Sequence, residues 1–138
     1  MTEVRPGTAR DLPAVAAIQS ASPEAAQWPV AAYLEYQLRV ADVGGQVAGF
    51  LAGRVLAPGE SEILNLAVAP ERRREGVARA LLNAWLAEYT GDVWLEVRES
   101  NQEARTFYQV LGFQVVGSRK EYYQAPLETA IVLKFHSC

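Results

Sequence analysis

The sequence of 138 residues predicts a mixed α/β fold, and three observations support this prediction. In residues 63–80 an apolar run ends at Pro70 and helical periodicity follows it, which is the order strand, turn, helix. Residues 92–111 repeat that order. The Gly44-Gly45 pair joins two apolar segments and predicts an antiparallel hairpin, because glycine readily adopts the positive φ angles of a two-residue turn.

The other elements follow from alternating or apolar runs, capping patterns and turn residues. The predicted strands cover residues 2–5, 40–43, 46–56, 63–68, 92–98 and 113–117. The predicted helices cover residues 9–20, 29–38, 76–89 and 101–111. Capping boxes begin at Thr8 and Ser100, and Gly49 and Gly53 indicate a weakened strand or a bulge. A single domain, 1–138, is expected.

The two strand–helix units have short connections, which predicts that their strands are parallel neighbours in the sheet. In such a pair the ligand site lies at the C-terminal ends of the strands. We therefore expect the strand positions Val68 and Glu96 to converge with the helix starts at Arg73 and Asn101.

Three consecutive arginines, at positions 72–74, stand at the predicted start of the third helix. The helix macrodipole is already positive at this end, so arginines are unfavourable there unless an anion is present. A phosphate bound by the first-turn N–H groups, with Gly76 allowing close approach, would turn this arrangement into a binding site. The alternative is a solvated corner in which Glu71 and Glu75 pair with the arginines.

The composition limits the class of protein. Charged residues make up 21% of the chain and the formal net charge is −3, which argues against a general nucleic-acid binder because that function needs a broad basic surface. Cys138 and His136 are the only cysteine and histidine, so we expect no internal disulfide, no metal site and a frayed C-terminal tail. Without a leader pattern or an apolar run of about 18 residues, a cytoplasmic protein that does not enter membranes is expected.

Two residues of the second strand–helix unit are suited to acyl transfer from a thioester to an amine. Glu96 lies near the C-terminal end of its strand and could accept the amine proton, directly or through a water. Tyr108 lies on the next helix and, with a reference pKa of about 10, stays protonated and could donate to the departing sulfur. A backbone N–H beside Val68 could polarise the thioester carbonyl.

Each of these candidate residues also has a structural alternative. Glu96 could pair with Arg98 or Arg119 at the edge of the sheet. Tyr108 lies in the apolar stripe of its helix, where an aromatic side chain is ordinarily part of the core. Asn101 could serve only as a helix cap.

Five motifs between residues 60 and 125 follow the pattern of one enzyme family. They are NLAV at 65–68, VAPERRREGVARALL at 68–82, LEVRESN at 95–101, FYQVLGF at 107–113 and RKEYY at 119–123. These motifs resemble the GNAT N-acetyltransferases, and more narrowly the bacterial ribosomal-protein alanine N-acetyltransferases. The resemblance implies a mostly antiparallel sheet of about six or seven strands, a central parallel pair splayed to hold acyl-CoA, and helices on both faces.

The resemblance also implies roles for individual residues. Glu96 would be the general base and Tyr108 the general acid, with acetyl-CoA as co-substrate, a protein N-terminal amine as acceptor and no metal. The residues that it implies for cofactor binding are Leu66, Ala67, Val68, Arg73, Arg74, Glu75, Gly76, Val77, Ala78, Asn101 and Tyr108.

The N-terminal alanine of a ribosomal protein is the predicted acceptor. Gln27 and Pro29 beside Trp28, and Gln124 after the tyrosine pair, depart from the family pattern in segments that face the acceptor in the family. A small amine or an antibiotic is therefore the alternative within the class. Outside the class, the alternatives are a non-catalytic acyl-CoA-binding domain and an RNA-docking patch at the arginines.

Overall fold

The structure, a computed structural model, describes residues 1–124 and 127–137. The strands in this part of the chain are β1 (Thr2–Pro6), β2 (Gln37–Val43), β3 (Gln46–Ala57), β4 (Glu60–Val68), β5 (Gly91–Arg98), β6 (Gln114–Gln124) and β7 (Leu127–Ser137). The α-helices are α1 (Leu12–Ser20), α2 (Val77–Glu88) and α3 (Gln102–Val110), and 3₁₀ turns cover Ala9–Asp11, Val30–Glu35 and Pro70–Arg72. This composition agrees with the predicted mixed α/β class.

The chain forms two compact units, and the expectation of a single domain stays a prediction. The first unit comprises Met1–Arg54 and Ile63–Glu88, and the second comprises Val55–Glu62 and Tyr89–Cys138. In the first unit β1 pairs with β2, and β2 with β3, both antiparallel.

The β2–β3 hairpin is confirmed. Gly44 and Gly45 form its turn with φ angles of 60° and 88°. The register shifts between Ala41 and Asp42, so the predicted bulge lies beside Gly49 on the partner strand.

The helix predicted over residues 29–38 is wrong in its second half. A 3₁₀ turn covers Val30–Glu35, after which Tyr36 is extended with φ −119° and ψ −165°. Leu38 is buried in β2, where it pairs with Ala52 of β3. Pairing with β3 satisfies the backbone groups that a longer helix would otherwise bond internally.

In the second unit β7 lies between β5 and β6 and pairs antiparallel with both. The predicted alternation of β5 is confirmed, because Val93, Leu95 and Val97 are buried and the residues between them are partly exposed.

The expectation of a frayed tail is wrong at His136. This residue belongs to β7 and pairs with Asp92 of β5. Its Nδ1 lies 2.7 Å from Asp92 Oδ1. The β5–β7 ladder therefore orders the chain up to this point, whereas Cys138 lies outside the described residues.

Candidate functional site

The arginine segment lies in a loop before α2 and not in the first turn of the helix. After the 3₁₀ turn Pro70–Arg72, Arg73 is extended with φ −68° and ψ 150°, and Arg74 is left-handed with φ 66°. In α2 the Ala80 N–H donates to the Gly76 carbonyl at 3.0 Å. The prediction of a helix start at Arg73 is therefore wrong, because the extended and left-handed residues interrupt the helical backbone. The predicted opening of the helix at residues 76–78 is confirmed, since α2 begins at Val77.

The loop nevertheless has the features of an anion-binding site. Gly76 also has a positive φ, 82°, and the side chains of Arg73 and Arg74 are exposed. The N–H groups of Val77 and Ala78 open α2 and have no acceptor within the helix. Free N–H groups at a helix start, together with guanidinium groups, form an arrangement that suits a phosphate.

Among the described residues, only one of the three arginines, Arg72, is paired as the solvated-corner alternative expects. Arg72 Nη1 lies 3.5 Å from Glu75 Oε1, as that alternative expects. Arg73 lies instead beside the segment after α1, with its Nη2 3.3 Å from Ser22 Oγ and 3.8 Å from Glu24 Oε1. The Arg73–Glu24 pair is about half exposed, and exposed pairs contribute at most about 1 kcal/mol. A phosphate could therefore displace Glu24 at little cost.

Replacing Arg74 with glycine is expected to stabilise the first unit by about 0.5 kcal/mol, because a residue with a Cβ is strained at a left-handed φ and glycine is not. Arg73→Gly is the matched control: with φ −68° it relieves no strain and should destabilise by about 0.5–1 kcal/mol. Urea unfolding followed by circular dichroism measures both. Equal losses of stability in the two variants would contradict strain at Arg74.

The predicted cofactor strand contains Leu66, Ala67 and Val68, the last three residues of β4. Asn65, which precedes them, is buried, and its Oδ1 accepts a hydrogen bond from the Leu66 N–H at 3.0 Å. Its Nδ2 donates to the Ala26 carbonyl at 2.8 Å. Asn65 therefore links this strand to the segment after α1.

Asn65 belongs to a buried polar network that the sequence did not reveal. Its Nδ2 also donates to the Tyr33 hydroxyl at 2.9 Å, and that hydroxyl donates to Gln19 Oε1 at 2.5 Å. Gln19 Nε2 in turn donates to the Trp28 carbonyl at 2.6 Å. The Trp28 ring packs on Tyr33 and Tyr36, each at 6.4 Å between ring centroids. The sequence signal for this network was Asn65 itself, a polar residue within the apolar run of β4.

In the second unit Glu96 makes the contact that one structural alternative expected. Its Oε1 accepts a hydrogen bond from Arg119 Nη1 at 2.8 Å, and its side chain is only 16% exposed. Arg98 pairs instead with Glu128 at 3.4 Å and stacks on the Tyr123 ring at 4.3 Å. Glu96, the predicted general base, is thus paired with the guanidinium of Arg119.

Tyr108 is buried on α3 in edge-to-face contact with Phe107 and Phe113, at centroid distances of 5.2 and 5.4 Å. Burial raises the pKa of its hydroxyl well above the ordinary value, so the phenol stays protonated at neutral pH. Within the described residues this hydroxyl has no hydrogen-bond partner. The packing of Tyr108 is that of a core residue, as the structural alternative expected. Its protonated hydroxyl also meets the requirement of a general acid.

The cap of α3 is Asn101, as the structural alternative expected, and lies one residue later than the predicted capping box. Asn101 Oδ1 accepts a hydrogen bond from the Ala104 N–H at 3.2 Å, so Asn101 and not Ser100 is the N-cap. The Ser100 N–H donates instead to Glu128 Oε2 at 2.6 Å. Glu128, which the sequence analysis did not single out, therefore positions the β5–α3 connection. The predicted contact of Asn101 with a cofactor stays a prediction.

The predicted site residues divide between the two units. The first unit contains the strand end and the loop, and the second contains Glu96, Asn101 and Tyr108. Their convergence stays a prediction. Residues 1–124 and 127–137 contain no group of three or more metal-binding side chains. In the same part of the chain no helix has both the length and the apolar character needed to cross a membrane.

Residues 10–113, which include the loop, Glu96 and Tyr108, match the acetyltransferase (GNAT) family. The chain belongs to this family. The resemblance to the GNAT family is thereby confirmed, and four of the five motifs lie within the matched residues, whereas RKEYY at 119–123 lies beyond them. The role of each site residue stays a prediction.

Among curated proteins, the GNAT chain is similar to the ribosomal protein bS18-alanine N-acetyltransferase of Escherichia coli K12. The two are 37% identical over 95 residues, which cover 66% of this chain and 62% of that protein. The match therefore spans less than two thirds of the relative's length.

Solved structures confirm the mixed α/β fold class of the GNAT chain. The ribosomal-protein-S18-alanine N-acetyltransferase from Escherichia coli has a TM-score of 0.85 at 28% identity and covers 99% of this chain and 94% of its own. Ard1 from Thermoplasma volcanium has a TM-score of 0.88 at 30% identity and covers 97% of this chain and 96% of its own.

Proposed function

We propose that this GNAT protein transfers an acetyl group from acetyl-CoA to a primary amine by direct attack, and that the acceptor is the N-terminal alanine of a ribosomal protein. Family membership supports the acetyltransferase chemistry, and the names of the Escherichia coli relatives support the acceptor. The observation that carries the proposal is the loop before α2, where the left-handed Arg74 and Gly76 precede a helix start and two arginine side chains are exposed.

The loop fits the pyrophosphate of acetyl-CoA. A Cβ added at Gly76 would meet no atom within 4 Å, so the space beside this residue is open. Arg73 and Arg74 would neutralise the phosphate charges, and the N–H groups of Val77 and Ala78 would donate to phosphate oxygens. Glu75, whose carboxylate pairs with Arg72, stays a predicted member of the cofactor site.

The acid and base of the proposed reaction both belong to the second unit. When bound, acetyl-CoA supplies the acyl group as a thioester. Glu96 accepts the proton of the acceptor amine, directly or through a water, while the nitrogen forms the new C–N bond. Tyr108 gives its proton to the sulfur as the C–S bond breaks. A free α-amine has a reference pKa of about 7.7–8.0, so much of it is already neutral and the base has a modest task.

In the first unit, a backbone N–H beside Val68 would donate to the thioester oxygen as negative charge develops on it. No covalent enzyme intermediate is needed, because holding both substrates together is sufficient for direct attack. The proposal accordingly assigns no role to a nucleophilic side chain or to a metal.

Calorimetry is expected to show micromolar acetyl-CoA binding by the wild type and much weaker binding by the Arg73→Ala, Arg74→Ala double variant. Each guanidinium bound to a phosphate contributes about 1.5–3 kcal/mol, so the double variant should lose at least about 100-fold in affinity. Arg10→Ala, an exposed arginine outside the loop, is the control and should bind like the wild type. Equal affinities of the double variant and the wild type would remove the loop from cofactor binding.

The acceptor is tested with acetyl-CoA and peptides that begin with alanine. Acetylation of the free peptide, and none of the same peptide with a blocked N-terminus, is the expected result. Acetylation of small amines or antibiotics but not of the peptide would favour the alternative acceptor. Acetyl-CoA binding without turnover on either would indicate a non-catalytic acyl-CoA-binding domain. A cytoplasmic location and the absence of nucleic-acid and membrane partners stay predictions.

A further inference from the structure

Arg119 reaches Glu96 across one intervening strand. Glu96 on β5 is level with Val132 of β7, and Val132 is level with Gly117 of β6. Arg119 lies two residues beyond Gly117, level with the small Ala130. A Cβ added at Gly117 would meet no heavy atom within 4 Å, so no side chain of β6 occupies this row. The Arg119 guanidinium lies 2.8 Å from Glu96 Oε1.

A second contact fixes the guanidinium. Its Cζ lies 4.0 Å from the centroid of the Tyr122 ring. The β6–β7 register is irregular between Arg119 and Tyr123, and this irregularity accompanies the placement of Tyr122 against Arg119. Cation–π stacking restricts the long arginine side chain, so its charge-assisted bond to Glu96 costs less rotamer entropy than that of a free arginine.

No neighbouring cation takes the place of Arg119 beside Glu96 in the described part of the chain. Arg98, on the same strand as Glu96, pairs with Glu128. Lys120, the next cation after Arg119, is exposed, and no contact between it and Glu96 occurs in the described part of the chain. The same part of the chain provides no hydrogen-bond donor to Glu96 Oε2. Arg119 therefore occupies one carboxylate oxygen and leaves the other able to accept a proton.

We propose that Arg119 is a positioning residue for Glu96, which it orients by binding Oε1 so that Oε2 takes the proton of the acceptor amine. This inference rests on the proposed function, in which Glu96 is the base. An unrestrained glutamate samples several rotamers, and the efficiency of proton transfer depends on how often the carboxylate has the productive geometry. Removing Arg119 should therefore slow the chemical step without changing the binding of acetyl-CoA.

The test compares Arg119→Gln with Lys120→Gln, a neighbouring substitution that removes the same charge. With an alanine-starting peptide, Arg119→Gln is expected to lower kcat by about 10-fold or more and to leave the KM for acetyl-CoA within about twofold. Lys120→Gln should keep wild-type values of both. Arg119→Lys, which restores a cation without the planar fork, should recover part of the loss. Melting temperatures check that all variants fold.

A double-mutant cycle with Glu96→Gln separates positioning from a general effect of charge. In the Glu96→Gln background, Arg119→Gln should cause no further loss of kcat, because the carboxylate that it orients is gone. Wild-type kcat in the single Arg119 variant, or an equal loss in both backgrounds, would overturn the inference alone. An inactive wild type, or full activity of Glu96→Gln, would overturn the proposed function and this inference with it.

Discussion

Replacing Tyr108 with phenylalanine is expected to lower kcat by about 100-fold or more, with little change in the affinity for acetyl-CoA. Phenylalanine keeps the edge-to-face contacts with Phe107 and Phe113, so the packing of α3 persists and only the hydroxyl is lost. Without that hydroxyl the sulfur must leave as a thiolate or take its proton from water. Steady-state kinetics with acetyl-CoA and the peptide substrate, together with calorimetry, measure the two effects.

Tyr89→Phe is the control for Tyr108, since it removes a phenol hydroxyl of the residue that follows α2, and this hydroxyl has no role in the proposal. Its kcat should equal that of the wild type. Because burial raises the pKa of Tyr108 above the ordinary value of about 10, the wild type should not lose this acid as the pH rises from neutral to about 10. An unchanged kcat in Tyr108→Phe would show that Tyr108 has only a structural role in the core.

The parts of the fold that sequence predicts well have local signals. The Gly44-Gly45 turn and the alternation of β5 depend on backbone preferences and on a period of two, which neighbouring residues display. The end of the second predicted helix has no such signal, because pairing of Leu38 with Ala52 decides between helix and strand. In the same way, His136 becomes ordered through Asp92, which lies far away in the sequence.

The candidate site shows the same division between local and distant signals. The residue types of the loop before α2 were predictable, since arginines and a glycine at a helix start indicate an anion. The left-handed conformation of Arg74 was not predictable, because a residue with a Cβ adopts it only when its surroundings impose it. The sequence also left open whether Glu96 pairs with Arg98 or Arg119, and the position of β7 between β5 and β6 decides this.

Replacing Asn65 with leucine is expected to destabilise the protein by about 2–4 kcal/mol. Leucine has the same number and branching of side-chain heavy atoms, so the main loss is the hydrogen bonds of the buried amide. The Ala26 carbonyl and the Leu66 N–H would lose their side-chain partner, and each polar group left unsatisfied in a buried place costs about 1–3 kcal/mol. Thermal or urea unfolding of the purified variant measures the effect.

Tyr33→Phe is the matched control within the same network. It removes the hydroxyl between Asn65 and Gln19, but Asn65 Nδ2 keeps the Ala26 carbonyl and lies 3.4 Å from Gln19 Oε1. Its cost should therefore be smaller, about 1 kcal/mol. Because Asn65 connects the last residues of β4 with the segment after α1, its loss should also weaken acetyl-CoA binding if β4 contacts the cofactor as proposed. A wild-type free energy of unfolding in Asn65→Leu would contradict a structural role for the network. A larger loss of stability in Tyr33→Phe than in Asn65→Leu would show that Tyr33, and not Asn65, is the residue on which the network mainly depends.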